Sequence, residues 1–137
     1  MERHALYPGF RGYLVRDQSG AAVAMVYGTR TAPGQWWHDL VLPQLHEPQA
    51  LNDCWVLTEL AVVPAHQGRR LGGLLHDLVL DGLPFRRATL STQVSNTRAR
   101  LFYERRSWRT LVPSMIFSPG GEPFTILGRD IPGRQNP

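Results

Sequence analysis

Apolar residues recur along the chain with periods that predict six strands and three helices. Two apolar runs, Arg11–Asp17 and Ala21–Arg30, flank the turn sequence QSG and predict an antiparallel hairpin. Helical spacing follows over Gln35–Pro48, and Pro43 is expected to end or kink this helix because proline removes a helical hydrogen bond. The next segment, Cys54–Val63, is almost continuously apolar, which predicts a strand buried on both faces.

A well-specified helix follows that strand. Its apolar residues repeat at the i, i+3, i+4, i+7, i+8 spacing of a helix with one buried face; they are Leu71, Leu74, Leu75, Leu78 and Val79. His76 is not part of this stripe, so we expect it at the surface. A strand over Ala88–Val94 and a helix over Asn96–Arg106 come next. Asn96 is suited to cap that helix because its side chain can accept a backbone hydrogen bond.

Two final strands, Trp108–Ser118 and Glu122–Asp130, are separated by the turn sequence PGGE, and residues 131–137 are expected to form a loose tail. The order of elements is β-β-α-β-α-β-α-β-β, which predicts a mixed α/β sheet in one domain spanning residues 1–137. The two βα units in the middle of the chain are expected to be right-handed crossovers between neighbouring strands.

Composition narrows the class of protein. No apolar run approaches the roughly 20 residues that span a bilayer, and the first ten residues have no hydrophobic signal core. Cys54 is the single cysteine, which excludes an intramolecular disulfide and a cysteine-based zinc site. The five histidines lack the HExxH spacing of a zinc helix, so we expect no metal site. We therefore expect a cytoplasmic protein that does not bind a membrane.

Arginine supplies all the positive side-chain charge other than histidine, since the sequence contains no lysine, and the formal net charge is +4. Nine of the 15 arginines lie between Arg69 and Arg109, which leaves two interpretations open. These residues could bind a polyanion, either nucleic acid or a phosphorylated cofactor, or they could lie on solvated helix faces. They are not interleaved with aromatic residues in an RNA-binding pattern, so nucleic acid is the weaker choice.

Glycines and arginines crowd the junction between the central strand and the helix after it, where the sequence reads QGRRLGG. A helix start presents unpaired backbone N–H groups and the positive end of the helix dipole, and glycine lets a ligand approach the backbone closely. Such a junction is suited to bind a phosphate or diphosphate. The P-loop pattern, which requires a lysine, and the dinucleotide pattern GxGxxG are both absent, so the type of phosphate ligand stays open at this point.

The segments ELAVVPAHQGRRLGGLLHDLVL and STQVSNTRARLFYERRSWRTL resemble the acetyl-CoA-binding core of the GNAT superfamily of acyl-CoA-dependent N-acetyltransferases. In that family a strand ending like L-x-V-x-P leads into a glycine-rich turn and a helix. The next strand is followed by an asparagine and a helix that carries a tyrosine. Asn96 and Tyr103 match that seven-residue spacing, and the resemblance covers about Trp55 to Leu111. It implies a mostly antiparallel mixed sheet flanked by helices, with a cofactor-binding core at about residues 54–111.

The resemblance implies acetyl-CoA as co-substrate, an amine as acceptor and no metal ion, and it leaves a homodimer open. The pantetheine arm is expected to pair with the backbone of Leu60, Ala61 and Val62 and to meet the side chain of Asn96. The diphosphate is expected on backbone N–H groups of the turn, which belong to Gly68, Arg69, Arg70, Leu71, Gly72 and Gly73. Tyr103 matches the family's general acid, which protonates the CoA thiolate; a phenol suits this role because it stays protonated at neutral pH.

Three candidate site residues also have a simpler structural interpretation. Tyr103 shares a helical stripe with apolar residues and could belong to the core. Asn96 could cap its helix, with or without a hydrogen bond to pantetheine. Glu59, just ahead of the cofactor-binding residues, is the candidate general base, because a buried glutamate on that strand would have a raised pKa. The alternative for Glu59 is an ordinary strand carboxylate that faces solvent.

Two adjacent tryptophans, Trp36 and Trp37, are the candidate residues for the acceptor side. They could line a pocket for an apolar or aromatic amine. Adjacent tryptophans are more often one buried and one at an interface, so this assignment also stays open.

Two features depart from the family pattern. Arg70 stands where the family has glycine, so it either adopts a strained positive φ or keeps an ordinary helical turn. About ten residues precede Arg11, where family members normally have a strand and one or two helices, so those elements are expected to be short or missing. This shortfall keeps three alternatives open: a late start at Met1, a partner chain that completes the site, or a truncated, non-catalytic acyl-CoA-binding module.

Overall fold

Six strands and three α-helices follow one another in a computed structural model that describes residues 9–68 and 70–132. The strands are β1 Arg11–Arg16, β2 Ala22–Arg30, β3 Cys54–Val62, β4 Arg87–Gln93, β5 Arg109–Ile116 and β6 Pro123–Asp130. The α-helices are α1 Trp36–Val41, α2 Leu71–Leu80 and α3 Thr97–Glu104. Short 3₁₀ helices span Leu42–Gln44, Pro48–Leu51 and Pro64–His66. The predictions for the N-terminal elements, for Arg69 and for the C-terminal tail fall at least partly on residues outside the described part.

The strands form one six-stranded sheet in the order β1-β2-β3-β4-β6-β5. β3 and β4 are parallel, and the other neighbouring pairs are antiparallel. This confirms the predicted fold class, a mixed and mostly antiparallel α/β sheet flanked by helices. The hairpin of β1 and β2 and the order of elements are confirmed as well, and α1 gives way to a 3₁₀ turn at Pro43 as the proline predicts.

The second crossover prediction was wrong. β4 and β5 are not neighbours, because β6 lies between them and pairs with both. β5 instead forms an edge of the sheet, which suits its sequence: Pro113 has no N–H to give to a second ladder, and the register of β5 shifts on either side of Val112. The first crossover, from β3 through α2 to β4, does join neighbouring strands.

Apolar side chains are buried on both faces of the sheet. On one face, Trp55, Leu57 and Leu90 pack with Leu75 and Val79 of α2 in the larger core. On the other face, α1 and the 3₁₀ turns cover a smaller core; its buried members are Val41, Leu51, Cys54, Val112, Met115 and Ile126. The sheet is therefore the middle of three layers, and a site between its strands can be approached from either face. No helix of the described residues is long and apolar enough to cross a bilayer.

The buried face of α2 differs from the one that the apolar spacing predicts. Leu74 and Leu78 are 64% and 45% exposed, whereas His76 is 1% exposed. The expectation that His76 lies at the surface was therefore wrong. The helix is rotated so that Leu75, His76 and Val79 face the sheet, and the cost of burying the imidazole is offset by a hydrogen bond from the indole of Trp108, at 3.0 Å.

Candidate active site

A slot opens in the sheet where the two parallel central strands part. β3 and β4 pair over three residue pairs, from Cys54 opposite Arg87 to Val56 opposite Thr89, and the described residues beyond them do not pair. The remainder of β3 stays paired to β2 on its other side, so one row of its backbone N–H and C=O groups faces the slot. The slot has a volume of about 190 Å³.

A β-bulge in β3 shapes the rim of this slot. Tyr27 of β2 lies opposite Glu59 while the next residue, Gly28, lies opposite Leu57, so Thr58 is an extra residue without a partner on β2. Leu57 and Leu60 both pack against the larger core although they are three residues apart. Thr58 and Glu59 between them are both exposed. The bulge thus places the side chains of Thr58 and Glu59 at the rim, and Leu60 after it again packs against the larger core.

Glu59 lines the slot, but it is not buried. The expectation of a strand buried on both faces holds for Cys54, Trp55 and Leu57 and is wrong for Thr58 and Glu59. The desolvation on which the argument for a buried general base depended is therefore absent. The bulge is the physical reason, because it turns the carboxylate toward solvent at the point where the strands part.

A larger cleft of about 560 Å³ lies between the glycine-rich turn, the first turn of α2 and the facing side of α3. Gly68 has φ of +82° and Arg70 has φ of +62°, so the turn is left-handed at both positions. Arg70 therefore takes the strained alternative, at a cost of about 1–2 kcal/mol for a side chain in this region. Its carbonyl accepts the first helical hydrogen bond, from the Leu74 N–H at 3.1 Å, so α2 begins directly after it.

The first N–H groups of α2 face this cleft. Leu71, Gly72 and Gly73 form the first helical turn, whose N–H groups have no acceptor four residues earlier in the helix, and all three residues line the cleft. They present N–H donors and the positive end of the helix dipole to whatever binds there. The backbone at the rim can thus bind an anion without any charged side chain.

Gln67 braces the turn from both sides. Its side-chain amide donates to the carbonyl of Val62 at 2.9 Å, and its amide oxygen accepts from the guanidinium of Arg98 at 2.9 Å. Gln67 therefore links the end of β3 to α3 across the mouth of the cleft. Its place at the head of QGRRLGG is explained by this link, which holds the turn in position.

Arginines of α3 and the turn after it line the cleft. They belong to the arginine-rich stretch for which the sequence left anion binding and a solvated helix face open, without naming these residues individually. Arg98, Arg105 and Arg106 all lie along it. The guanidinium of Arg106 stacks over the ring of Phe102 at 3.7 Å and donates to the Phe102 carbonyl at 2.9 Å. Phe102 and Arg106 are four residues apart, which is the spacing that brings side chains together on a helix. That spacing was the available signal for a fixed arginine at this position.

Gly73 makes room for Arg106. A Cβ atom added at Gly73 would lie 2.7 Å from a terminal guanidinium nitrogen of Arg106, whereas one added at Gly72 would meet the Phe102 ring at an ordinary 3.6 Å. The second glycine of the GG pair thus lets the guanidinium of Arg106 pack directly on the start of α2, and a methyl group there would displace the end of that side chain. Together they place a cation directly above the start of α2.

Asn96 caps α3, as predicted. Its side-chain oxygen accepts a hydrogen bond from the Ala99 N–H at 3.1 Å. Asn96 also lines both the slot and the larger cleft. The cap leaves its side-chain NH₂ group available at the boundary between the two cavities.

Tyr103 lies where the slot and the larger cleft meet, since it lines both. Its side chain is 8% exposed and packs edge to face with Phe102 and Trp108, at ring-centroid distances of 5.1 and 5.5 Å. Burial raises the pKa of Tyr103 to about 12. Among the described residues its hydroxyl has no hydrogen-bond partner. The ring therefore belongs to the core, as the structural interpretation held, while the protonated hydroxyl is available to a ligand.

A buried imidazole supports the aromatic wall behind Tyr103. The indole N–H of Trp108 can only donate, so Nε2 of His76 accepts, and the proton lies on Nδ1, which donates to the carboxylate of Asp77 at 2.9 Å. This hydrogen bonding fixes the neutral tautomer. Burial lowers the pKa of His76, and the hydrogen bond to Asp77 offsets only part of that effect.

Acid is expected to destabilise the fold through His76. The folded state favours the neutral imidazole, so the unfolded chain binds more protons as the pH falls below the ordinary pKa of about 6.5. The contribution of His76 is thus fully present above pH 6.5 and is lost as the pH falls toward its lowered pKa, with a slope of at most about 1.4 kcal/mol per pH unit. Urea unfolding of the wild type and of His76→Gln between pH 5 and 8 isolates this residue, because the other titrating groups are common to both. Parallel curves for the two proteins would contradict the assignment.

The sheet order and the arrangement of helices match the GNAT fold. The family model described as the acetyltransferase (GNAT) family matches residues 3–108, and the chain belongs to this family. The chain is 32% identical over 121 residues to the GCN5-like protein acetyltransferase Rv2170 of Mycobacterium tuberculosis, an alignment that covers 80% of this chain and 59% of that protein. The chain thus spans less than two thirds of the length of that relative.

Solved structures share the fold. Nourseothricin acetyltransferase superposes with a TM-score of 0.69 and 16% identity over 91% of this chain and 67% of its own. The ribosomal-protein-S18-alanine N-acetyltransferase of Escherichia coli superposes with a TM-score of 0.62 and 17% identity, over 89% of this chain and 69% of its own. At these identities the similarity establishes the fold and leaves the acceptor undefined.

Proposed function

We propose that this chain transfers an acetyl group from acetyl-CoA to a primary amine, by direct attack of the amine within a ternary complex. The observation that carries the proposal is the position of Tyr103 at the junction of the two cavities. One cavity leads to a helix start lined by arginines, which suits a diphosphate. The other is a slot with an unpaired strand edge, which suits an amide-containing arm.

Each part of acetyl-CoA has matching groups on the protein. The pantetheine amides would pair with the slot edge of Leu60, Ala61 and Val62 in the manner of an added strand, sharing the Val62 carbonyl with the side chain of Gln67. The diphosphate would accept from the N–H groups at the start of α2, where the backbone of Gly68 and Arg70 turns the chain. The guanidinium groups of Arg70, Arg98 and Arg106 line the same cleft and would balance the charge of the phosphates.

The transfer requires the amine to attack as the free base. Its nitrogen forms a bond to the acetyl carbon, the carbon–sulfur bond breaks, and the CoA thiolate leaves. Tyr103 would donate its phenolic proton to that thiolate, and the amine would lose a proton to solvent or to Glu59 through water. Glu59 is exposed at the slot rim, so its carboxylate can also attract an ammonium group before it is deprotonated.

Ligand-induced stabilisation tests the binding half of this proposal. Acetyl-CoA at 100 times its dissociation constant should raise the free energy of unfolding by about 2.7 kcal/mol. ADP at the same concentration, which lacks the pantetheine arm, is expected to give a smaller shift. An unchanged melting temperature with acetyl-CoA would rule out this function.

Release of free thiol from acetyl-CoA, measured across a panel of primary amines with mass spectrometry of the products, tests the catalytic half. We expect thiol release that depends on the amine, with one acetyl group added to the product. A thermal shift without thiol release for any amine would instead indicate a non-catalytic acyl-CoA-binding module.

A further inference from the structure

Three aromatic rings form a row on the α1 face of the sheet, opposite the arginine-lined cleft. Trp36 and Phe117 lie with their ring centroids 5.4 Å apart, and Phe117 and Phe124 with theirs 5.3 Å apart. Trp36 is 65% exposed, which is unusual for so large an apolar side chain. We call Trp36, Phe117 and Phe124 the aromatic row.

The register of the sheet places this row beside the end of β4 that lines the slot. Ser91 pairs with Ile126 and Gln93 pairs with Phe124, and directly opposite residues of an antiparallel pair project from the same face. Ile126 belongs to the smaller core beneath α1. Phe124 and Ser91 therefore project from the α1 face, as Ile126 does.

Trp37 connects α1 to the slot. Its indole N–H donates to the hydroxyl of Ser91 over a long 3.4 Å, and Ser91 lines the slot. Thr58 projects from the same face of β3 as Cys54 of the smaller core, by the alternation of side chains along a strand. Glu59 pairs with Tyr27 and precedes Leu60 of the larger core, so its carboxylate also projects from the α1 face at the mouth of the slot. On the facing strand, Ser91 is two residues before Gln93, which lies opposite Phe124 of the aromatic row.

We propose, on the basis of the function proposed above, that the acceptor is a small amphipathic primary amine with an aromatic group. Its ammonium would lie near Glu59 at the mouth of the slot, and its ring would pack on Phe124, Phe117 and Trp36. Aromatic rings prefer such offset or edge-to-face neighbours, and their burial adds to the contact area. The aromatic row would then determine specificity, while the slot carries out the transfer.

The distribution of charge favours a cationic occupant on this face. Arg70, Arg98 and Arg106 line the cleft on the α2 and α3 side of the sheet, where an anion is expected. Glu59 is the acidic residue that lines the slot. An ammonium group that enters from the α1 face meets this carboxylate without first passing the arginines, so the two substrates approach from opposite faces.

Amine selectivity tests this inference. Thiol release would be measured with 2-phenylethylamine, tryptamine, n-propylamine and a short peptide with a free amino terminus. We expect kcat/KM for the two aromatic amines to exceed that for n-propylamine by at least about tenfold, in line with what an apolar pocket can discriminate. In Trp36→Ser and Phe124→Leu the ratio of aromatic to aliphatic kcat/KM should fall toward one. In Leu74→Ser, which removes an equally exposed apolar side chain from α2, the ratio should not change.

The outcomes separate this inference from the proposed function. Equal use of aromatic and aliphatic amines, or preference for the peptide, would overturn the inference and leave acetyl transfer standing. If none of the amines causes thiol release although acetyl-CoA stabilises the protein, both the inference and the proposed catalysis are overturned. Binding is checked independently by tryptophan fluorescence, because 2-phenylethylamine should perturb the emission of Trp36 in the wild type. Absence of that change in the wild type, or its persistence in Trp36→Ser, would also count against the aromatic row.

Discussion

Replacement of Tyr103 by phenylalanine is expected to lower kcat for acetyl transfer by about 10²–10⁴-fold, the range for loss of a positioned general acid. The dissociation constant of acetyl-CoA should stay within about twofold of the wild-type value. The reason for this separation is that the ring packs against Phe102 and Trp108, which a phenylalanine ring can also do, while the hydroxyl makes no hydrogen bond to the described residues. Steady-state kinetics and calorimetric titration with acetyl-CoA measure the two effects.

Tyr13→Phe is the matched control for that experiment. Tyr13 lies on β1 at the edge of the same core, so the variant loses a phenol hydroxyl without touching the slot. Its kcat should equal that of the wild type. If Tyr103→Phe instead loses acetyl-CoA affinity and unfolding free energy in the same proportion as kcat, then Tyr103 is a structural residue and the general acid lies elsewhere.

The pH profile gives a second check on Tyr103. Because burial raises the pKa of Tyr103 to about 12, its proton remains available through the alkaline range in which an ordinary tyrosine begins to ionise. Ionisation of Tyr103 should therefore cause no loss of activity between pH 9 and 10. The relative change in activity over this range should be the same in the wild type and in Tyr103→Phe. The rise of activity with pH should follow deprotonation of the amine, and its midpoint should move when the amine is changed.

The local pattern of the sequence was sufficient for most of the fold. Apolar periodicity and turn residues predicted each strand and helix, since those signals depend on neighbours in the chain. The insertion of β6 between β4 and β5 could not be predicted in this way. Strand order depends on which strands pair across long separations in the chain. Pro113 is typical of an edge strand, but it does not indicate which strand lies beside it.

In the candidate site, too, local features could be predicted from the sequence and features that depend on long-range contacts could not. Asn96 as a cap and the left-handed turn at Gly68 follow from residue chemistry, so the sequence was informative there. The sequence left a buried and an exposed Glu59 as alternatives, because a bulge reverses the alternation of β3 and no residue type marks a bulge by itself. The burial of His76 was missed because its partner, Trp108, lies 32 residues away in the chain.

The arginines of the turn and of α3 differ in how firmly they are placed. Arg106 is held by the Phe102 ring and carbonyl, and Arg98 is held by Gln67, so both can bind an anion with little loss of side-chain entropy. Arg70 carries backbone strain instead. We therefore expect Arg106 to contribute more to acetyl-CoA affinity than Arg70, although only Arg70 belongs to the glycine-rich motif.

Gly73→Ala is expected to weaken acetyl-CoA binding by about tenfold while the unfolding free energy stays the same or rises by up to about 1 kcal/mol. Alanine is the better helix former, which favours folding. The added methyl group would displace the guanidinium of Arg106, which lies 2.7 Å from its position, and a lost hydrogen bond from a charged group costs about 1.5–3 kcal/mol. Weaker acetyl-CoA binding together with an unchanged or higher free energy of unfolding would distinguish this effect from general damage to the fold, which would lower both.

A double-mutant cycle identifies Arg106 as the mediator of that effect. Arg106→Gln should lower acetyl-CoA affinity by a similar factor, and Gly73→Ala added to Arg106→Gln should cause no further loss, because the group it displaces is already gone. Arg109→Gln, which removes one positive charge from β5 outside the cleft, controls for net charge and should leave affinity nearly unchanged at 0.15 M salt, where the Debye length is about 8 Å. Fully additive losses in the double variant would mean that Gly73 contacts the ligand itself and that Arg106 is not held in place for it.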